Sequence, residues 1–297
     1  MSARALADLW ERAKLGLNVP VGPIELRLRL ARRVPGYRYG WQQRLRHWLG
    51  RSAAPAGQLV PRTATGGGVA LLVGCGPGLG HALASRLAEA GMQVVLAVRR
   101  PQHLQALAER LRSQGRGVQV HGCDATREAD VTVLLQAVTA EAGVPELVIY
   151  NVEQFVPGRL TDIRTSAFED CWRAMTLGGF LVGREAARRM LPLGRGTILY
   201  TGATASTVGN AGYTNLAVGK FGLRALAQCM ARELGPCGIH VAHVVVDGAI
   251  APEPDAAGQR ADVLCPQAMA DLYLFLHRQP ASAWTQELDL RPWVERF

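Results

Sequence analysis

Residues 69–90 read VALLVGCGPGLGHALASRLAEA, and this stretch decides the fold. An apolar run from Val69 leads into the glycine-rich turn Gly74-Cys75-Gly76-Pro77-Gly78-Leu79-Gly80, and an amphipathic, helix-like pattern follows. Glycines let a turn be tight and let a phosphate approach the backbone, and the free N–H groups at a helix N-terminus bind anions. A glycine-rich turn between a strand and a helix therefore predicts a unit that holds the diphosphate of a dinucleotide.

Beyond this unit, short apolar runs alternate with longer amphipathic stretches. Six further runs predict strands: QVVLAV at Gln93, VQVHG at Val118, ELVIY at Glu146, GTILYT at Gly196, HVAHVVV at His240 and ELDL at Glu287. Predicted helices between them include LQALAERLRSQG, ADVTVLLQAVTAEAG, FEDCWRAMTLGGFLVGREAARRML and FGLRALAQCMARELG. Such alternation indicates a parallel sheet covered on both faces. The predicted fold is α/β, a Rossmann-type doubly wound parallel sheet over residues 66–297.

The excess positive charge lies in a basic N-terminal extension, residues 1–65. This segment holds twelve of the 33 Lys and Arg residues but three of the 24 acidic residues, so it carries the whole net charge of +9. A linker rich in Ala, Gly, Pro and Ser follows at about residues 52–68. The extension is interpreted as an arm packed on its own domain, a docking arm for partner subunits, a membrane-surface contact or an Arg-rich mitochondrial transit segment. Nucleic acid is not an expected partner, because the remaining chain is neutral and lacks a known reader motif.

Other function classes are excluded or disfavoured by composition. No apolar run approaches the length that a transmembrane helix needs. The six cysteines are scattered without a CxxC pair, so reduced thiols are expected and no metal site is predicted.

The end of the second predicted strand indicates which dinucleotide is bound. NAD-binding units usually place an acidic residue there, which accepts a hydrogen bond from the ribose 2′-hydroxyl. Here the strand ends at Val98-Arg99-Arg100. Two guanidinium groups favour a 2′-phosphate, and NADP(H) is the predicted cofactor.

Several motifs in the correct order resemble the short-chain dehydrogenase/reductase family over about residues 68–297. They are the GxxxGxG turn, Asp124 in HGCDAT, and KFGLRALAQCMARELGPCGIHV from Lys220. The resemblance implies that Asp124 holds the adenine ring and that Lys220 bonds the nicotinamide ribose. Asn151 stands where the family has its NNAG motif, of which one Asn survives.

The same resemblance implies that most of the family's catalytic set is missing. The family uses an Asn-Ser-Tyr-Lys set, with the tyrosine four residues before the lysine and the serine thirteen before the tyrosine. These positions hold Leu216 and Ala203, and Thr176 stands at the asparagine position. Only Lys220 remains as a residual catalytic residue. Tyr213 is a candidate substitute donor, Tyr200 is a weaker one, and the serine hydroxyl has candidate replacements at Thr201, Thr204 and Ser206.

Two functions from different classes are therefore predicted. The first is a catalytically inactive NADP(H)-binding protein that serves as an accessory subunit of a larger assembly, with a mitochondrial respiratory complex as the analogy. The alternative is an active NADPH-dependent oxidoreductase that reduces a hydrophobic carbonyl or activated double bond with a non-standard proton donor. A homodimer through the helices around Trp172–Met190 and Phe221–Leu234 is an alternative to a foreign partner. The predicted location is mitochondrial, with a cytoplasmic alternative.

Overall fold

The computed structural model describes residues 67–251 and 260–295. The predictions for the N-terminal extension concern residues outside this range. The central feature is a sheet of seven parallel strands in the order β3-β2-β1-β4-β5-β6-β9. Its strands are β1 (Val69–Val73), β2 (Gln93–Val98), β3 (Val118–Gly122), β4 (Leu147–Tyr150), β5 (Gly196–Thr201), β6 (Ile239–Val246) and β9 (Glu287–Leu290). All seven predicted strands are confirmed, and the doubly wound parallel sheet with them.

Seven α-helices accompany the sheet in the described part of the chain. They are α1 (Leu79–Glu89), α2 (Gln105–Ser113), α3 (Glu128–Glu141), α4 (Thr165–Trp172), α5 (Gly178–Met190), α6 (Thr214–Leu234) and α7 (Pro266–Arg278). One π-helical turn, Arg173–Leu177, joins α4 to α5. The sequence analysis did not predict α7, although its core-facing residues recur at helical spacing.

Two apolar layers bury the sheet on both faces. On one face Ala70 and Leu72 belong to a core that α1, α2 and α7 cover, and on the other Leu71 and Val73 belong to a core that α3, α5 and α6 cover. Because successive strand residues point to opposite faces, a strand covered on both sides is apolar at every position. This burial explains why the strands are continuous apolar runs in the sequence.

A second, two-stranded parallel sheet lies after β6. Its strands are β7 (Ala249–Ile250) and β8 (Val263–Leu264). A Cβ added to Gly78, the N-cap of α1, would lie 3.6 Å from Ile250 and 3.7 Å from Ala251. The segment after β6 therefore returns to the glycine-rich turn after β1.

Three observations bear on the excluded classes. All six cysteines lie in the described ranges, and none is in a disulfide. Among these residues there is no group of three His, Cys, Asp or Glu side chains placed to hold a metal ion. No helix within residues 67–251 and 260–295 is both long and apolar enough to cross a membrane.

Candidate functional site

A cavity of about 1560 Å³ lies beyond the carboxyl ends of the central strands. Parallel α/β sheets bind ligands at this edge, where the strand order reverses, here between β1 and β4. The structure brings these predicted binding or catalytic residues to this cavity: Gly74, Gly76, Gly78, Leu79, Gly80, Arg99, Arg100, Asp124, Asn151, Tyr213 and Lys220. Thr176, at the predicted asparagine position, is not part of the lining.

The glycine-rich turn is shaped for close backbone approach. Gly74 has φ of +86°, and a Cβ there would lie 2.7 Å from the carbonyl oxygen of Asn151. The Asn151 Nδ2 group in turn donates to the Gly74 carbonyl oxygen at 3.0 Å, which ties the ends of β1 and β4 together. A Cβ on Gly76 would meet no atom within 4 Å, so the centre of the turn is open. The turn leads into Leu79, a buried residue at the start of α1.

One end of the cavity, called here the arginine end, consists of Arg99, Arg100 and Asp124 after β2 and β3. Both arginines are exposed, and neither guanidinium group makes a hydrogen bond or ion pair with another described residue. Asp124 accepts hydrogen bonds from the backbone N–H of Thr126 at 3.0 Å and from its hydroxyl at 2.8 Å. Partial burial opposes ionisation, but these bonds and the charge of Arg99 hold the pKa of Asp124 below its usual value. This end has cationic groups available for an anion.

The other end, called here the lysine end, consists of Glu153, Ala203, Leu216 and Lys220. Lys220 is 1% exposed, and its Nζ donates to the Thr201 carbonyl oxygen at 3.1 Å. Burial lowers the pKa of the Lys220 ammonium, and the neighbouring Glu153 carboxylate opposes that shift. A buried ammonium held by a backbone carbonyl is fixed in position and is available to a ligand in the cavity.

Apolar side chains fill the positions where the family has its tyrosine and serine. Leu216 is 6% exposed and belongs to an apolar cluster with Ala203 packed against it. The remaining members of this cluster are Cys171, Met175, Ala205, Ala217 and Phe155. Neither a leucine nor an alanine side chain can transfer a proton, so these two positions cannot supply a general acid.

Thr176 has a role inside the protein. It lies in the π-helical turn between α4 and α5, and its hydroxyl donates to the Gly219 carbonyl oxygen at 2.9 Å. This bond joins the π turn to α6 one residue before Lys220. A threonine at the asparagine position thus fixes the helix without reaching the cavity.

Most candidate replacements for the missing groups are already engaged. Tyr200 is fully buried, and its hydroxyl donates to the Gly179 carbonyl oxygen at 3.1 Å. Burial raises the pKa of Tyr200, so it is not a suitable proton donor. The Thr201 hydroxyl is bonded to Tyr273 at 2.8 Å, and the buried Ser206 hydroxyl accepts from the Ala203 N–H at 3.1 Å.

Two further candidates, Tyr213 and Thr204, also line the cavity. Tyr213 is 43% exposed at the N-cap of α6, and its ring stacks on Phe155 with 4.8 Å between the centroids. Its hydroxyl has no hydrogen-bond partner among residues 67–251 and 260–295. The Thr204 hydroxyl donates to Asp247, which also lies 3.4 Å from Arg291. Of the three residues proposed from the sequence to replace the serine hydroxyl, Thr201 and Thr204 line the cavity and Ser206 does not.

Sequence reasoning missed Glu153. Its Oε2 lies 3.6 Å from the Lys220 Nζ, and its side chain is 57% exposed and lines the cavity. A signal was present, because Glu153 is an acidic residue two positions after Asn151, at the carboxyl end of β4. Asp247, the partner of Thr204 immediately after β6, was likewise not predicted as a site residue.

Comparison with known sequences identifies relatives along most of the described chain. The sequence profile described as short chain dehydrogenase matches residues 68–255. A (21S)-21-acetoxyl-apo-melianone synthase of Melia azedarach is 33% identical over 193 residues, which are 64% of this chain and 68% of the relative. A 3-oxoacyl-[acyl-carrier-protein] reductase of Escherichia coli is 28% identical over 201 residues, which are 67% of this chain and 81% of the relative.

Solved structures give the same result. A short-chain dehydrogenase from Rhodopseudomonas palustris superposes with a TM-score of 0.69 and 36% identity, and the match covers 78% of this chain and all of that one. A metagenomic short-chain oxidoreductase solved in complex with NADP superposes with a TM-score of 0.69 at 23% identity, covering 77% and 99% of the two chains. At that identity the second likeness concerns the fold.

Proposed function

The chain belongs to the short-chain dehydrogenase family, and from this membership we propose that it binds NADP(H) without the family's tyrosine-based carbonyl chemistry and serves as an accessory subunit of a larger assembly. The observation that carries the proposal is the contrast within one cavity. The glycine-rich turn and the arginine end keep the groups that bind a dinucleotide, whereas Leu216 and Ala203 fill the positions of the proton donor and the hydroxyl.

The residues of the cavity fit NADP(H). The open Gly76 and the N-terminus of α1 would take the diphosphate, and Arg99 and Arg100 would take the 2′-phosphate. Asp124 would meet the adenine, and Lys220 the nicotinamide ribose. The cofactor, when bound, supplies a hydride or accepts one, and the protein positions it. NADP in the structure of the metagenomic relative supports this choice.

The loss of the donor has a large effect on chemistry. A positioned general acid contributes about 10²–10⁴-fold to a rate, which is about 3–5 kcal/mol of barrier. Leu216 offers no proton, and the Glu153 carboxylate near Lys220 would oppose negative charge that develops on a substrate oxygen. Carbonyl reduction by the usual mechanism is therefore expected to be very slow.

A direct experiment measures binding and turnover together. Tight binding of NADPH by fluorescence titration, a weaker affinity for NADH, and no carbonyl-dependent oxidation of NADPH would support the proposal. Steady turnover of a carbonyl panel at ordinary family rates would overturn it. Failure to bind either dinucleotide would overturn the cofactor assignment.

The accessory role rests on the uneven charge of the chain. Residues 1–65 carry the whole net charge of +9, and a basic segment of this kind can dock on an acidic partner. Native mass spectrometry of the protein isolated from its source tests this role. Stoichiometric other subunits together with bound NADP(H) are expected, and a free monomer or homodimer that releases its cofactor quickly would refute it. The cell fraction that holds the assembly decides between the mitochondrial prediction and its cytoplasmic alternative.

Tyr213 favours a second function, an active NADPH-dependent oxidoreductase acting on a hydrophobic carbonyl or activated double bond. Its exposed hydroxyl lines the same cavity beside the apolar cluster of Leu216. If Tyr213 is the proton donor, Tyr213→Phe lowers any measured turnover by about 10²-fold or more and leaves NADPH affinity near the wild-type value. Equal turnover of Tyr213→Phe and the wild type would exclude Tyr213 as the donor.

A further inference from the structure

Glu153 is a charged residue of the cavity that the family comparison does not explain. It follows β4 by three residues, and its carboxylate is the nearest acidic group to the buried Lys220, at 3.6 Å. This distance is longer than a direct ammonium–carboxylate hydrogen bond of about 2.7–2.9 Å, so the two groups do not fully satisfy each other. It is still short enough for both groups to contact the same ligand.

Lys220 has one direction left for a ligand. An ammonium group has three N–H donors. One donates to the Thr201 carbonyl oxygen at 3.1 Å, and a second points toward the Val152 carbonyl oxygen at 3.5 Å. The remaining side faces Glu153 and the cavity. The protein thus presents a donor and an acceptor side by side, one fully buried and one partly exposed.

This pairing of groups matches a vicinal diol better than a carbonyl. Each hydroxyl of a diol can donate to the carboxylate and accept from the ammonium, as when an acidic residue holds ribose hydroxyls. A carbonyl oxygen only accepts, so the carboxylate would gain nothing from it and would repel charge developing on it.

The topology indicates which diol would arrive there. Arg99 and Arg100 follow β2, on one side of the glycine-rich turn after β1, and Glu153 follows β4 on the other side. A dinucleotide whose diphosphate sits on the turn and whose 2′-phosphate meets the arginines must extend its second ribose over β4. That ribose belongs to the nicotinamide half.

Lys220 is already placed on the nicotinamide ribose by the family resemblance, and we propose that Glu153 joins it there in a carboxylate–ammonium clamp, accepting hydrogen bonds from both ribose hydroxyls. The assignment rests on the proposed binding of NADP(H). It makes Glu153 a cofactor-binding residue, and it explains how an acidic side chain is accommodated beside the lysine at a centre that has lost its proton donor.

The experiment compares Glu153→Gln and Glu153→Ala with the wild type by titration with NADPH, NADP⁺ and 2′,5′-ADP, which lacks the nicotinamide ribose. Glu153→Ala is expected to weaken the binding of NADPH and of NADP⁺ to a similar degree, by about tenfold or more, because hydrogen bonds to a charged group are lost. Glu153→Gln, which keeps one acceptor, is expected to lose less. Binding of 2′,5′-ADP should be unchanged in both variants.

The outcomes separate the clamp from the proposed function. If the wild type binds neither NADPH nor 2′,5′-ADP, the proposed function has failed. If the wild type binds both and Glu153→Ala binds NADPH equally well, the clamp alone is wrong. If only the binding of NADP⁺ is weakened, the carboxylate acts on the positive charge of the nicotinamide ring, and the clamp is again wrong.

Glu169→Gln, at an exposed position on α4 outside the cavity, is the matched control and should bind all three ligands like the wild type.

Discussion

The arginine end and the lysine end of the cavity differ in what their side chains are already doing. At the arginine end the guanidinium groups of Arg99 and Arg100 are exposed and make no hydrogen bond or ion pair with another described residue, so their charge is available to a ligand. At the lysine end the hydroxyls of Tyr200, Thr201 and Ser206 are bonded inside the protein. Binding of the 2′-phosphate and proton transfer to a substrate can therefore be changed separately within a single cavity, because the residues at the two ends follow different strands.

The largest expected effect comes from rebuilding the lysine end. The double substitution Leu216→Tyr with Ala203→Ser restores the family's tyrosine four residues before Lys220 and its serine thirteen residues earlier. We expect NADPH-dependent carbonyl reduction to rise by about 10²–10⁴-fold over the wild type, since a positioned acid contributes that much. The measurement is the rate of NADPH oxidation with a panel of hydrophobic ketones.

The single variant Ala203→Ser is the control for this gain. It adds a hydroxyl without a proton donor and should leave the rate near that of the wild type. Leu216 belongs to a packed cluster with Cys171 and Met175, so melting temperatures of each variant must accompany the rates. A correctly folded double variant that binds NADPH but gains no activity would show that the lysine end differs from the family in more than these two residues.

The next effect concerns the arginine end. Replacing Arg99 and Arg100 together by alanine should lower the affinity for NADPH by about 10²-fold and leave the affinity for NADH almost unchanged. The reason is that two charge-assisted hydrogen bonds to the 2′-phosphate are lost, each worth about 1.5 kcal/mol. Isothermal titration with both dinucleotides measures this ratio. An equal loss for NADH and NADPH would mean that the arginines do not read the 2′-phosphate. Arg159→Ala, on the exposed loop after β4, is a control for the removal of positive charge.

The fold was predictable because its strands are buried on both faces. Runs such as that beginning at Val69 are apolar at each position for this reason, and the glycine-rich turn marks the start of the first helix. Helix α7 was missed although Pro266 stands in its first turn, where proline is common, and its buried residues recur at helical spacing. The N-terminal predictions lie outside the described residues.

Residues of the site could be proposed from the sequence only where the residue type and its position after a strand together indicate a role. The glycines of the turn after β1 and the arginines after β2 were proposed from their position alone, and the structure brings both groups to the cavity. The role of Glu153 depends on its distance to Lys220, 67 positions along the chain, which no local pattern contains. The engagement of Tyr200 and Thr201 likewise depends on partners in other helices, so sequence could propose them as donors but could not exclude them.

The smallest expected effect tests the support behind the lysine end. His243 on β6 is fully buried, and its Nδ1 lies 3.1 Å from Glu287 on β9, which Arg224 of α6 also bonds at 2.6 and 2.7 Å. Burial lowers the pKa of His243 to about 4, with Glu287 opposing the shift and the charges of Lys220 and Arg224 adding to it. Because an unfolded histidine titrates near 6.5, the unfolded chain takes up the proton first as pH falls.

The folded state should therefore lose stability below about pH 6.5 and continue to lose it down to about pH 4. Between about pH 7.5 and about pH 5 the titration of His243 lowers the free energy of unfolding by about 2 kcal/mol. Urea unfolding at several pH values should show this loss in the wild type and a shallower pH dependence in His243→Gln. If His243→Gln keeps the wild-type slope, acid sensitivity arises elsewhere, and the packing behind the lysine end does not depend on a neutral histidine.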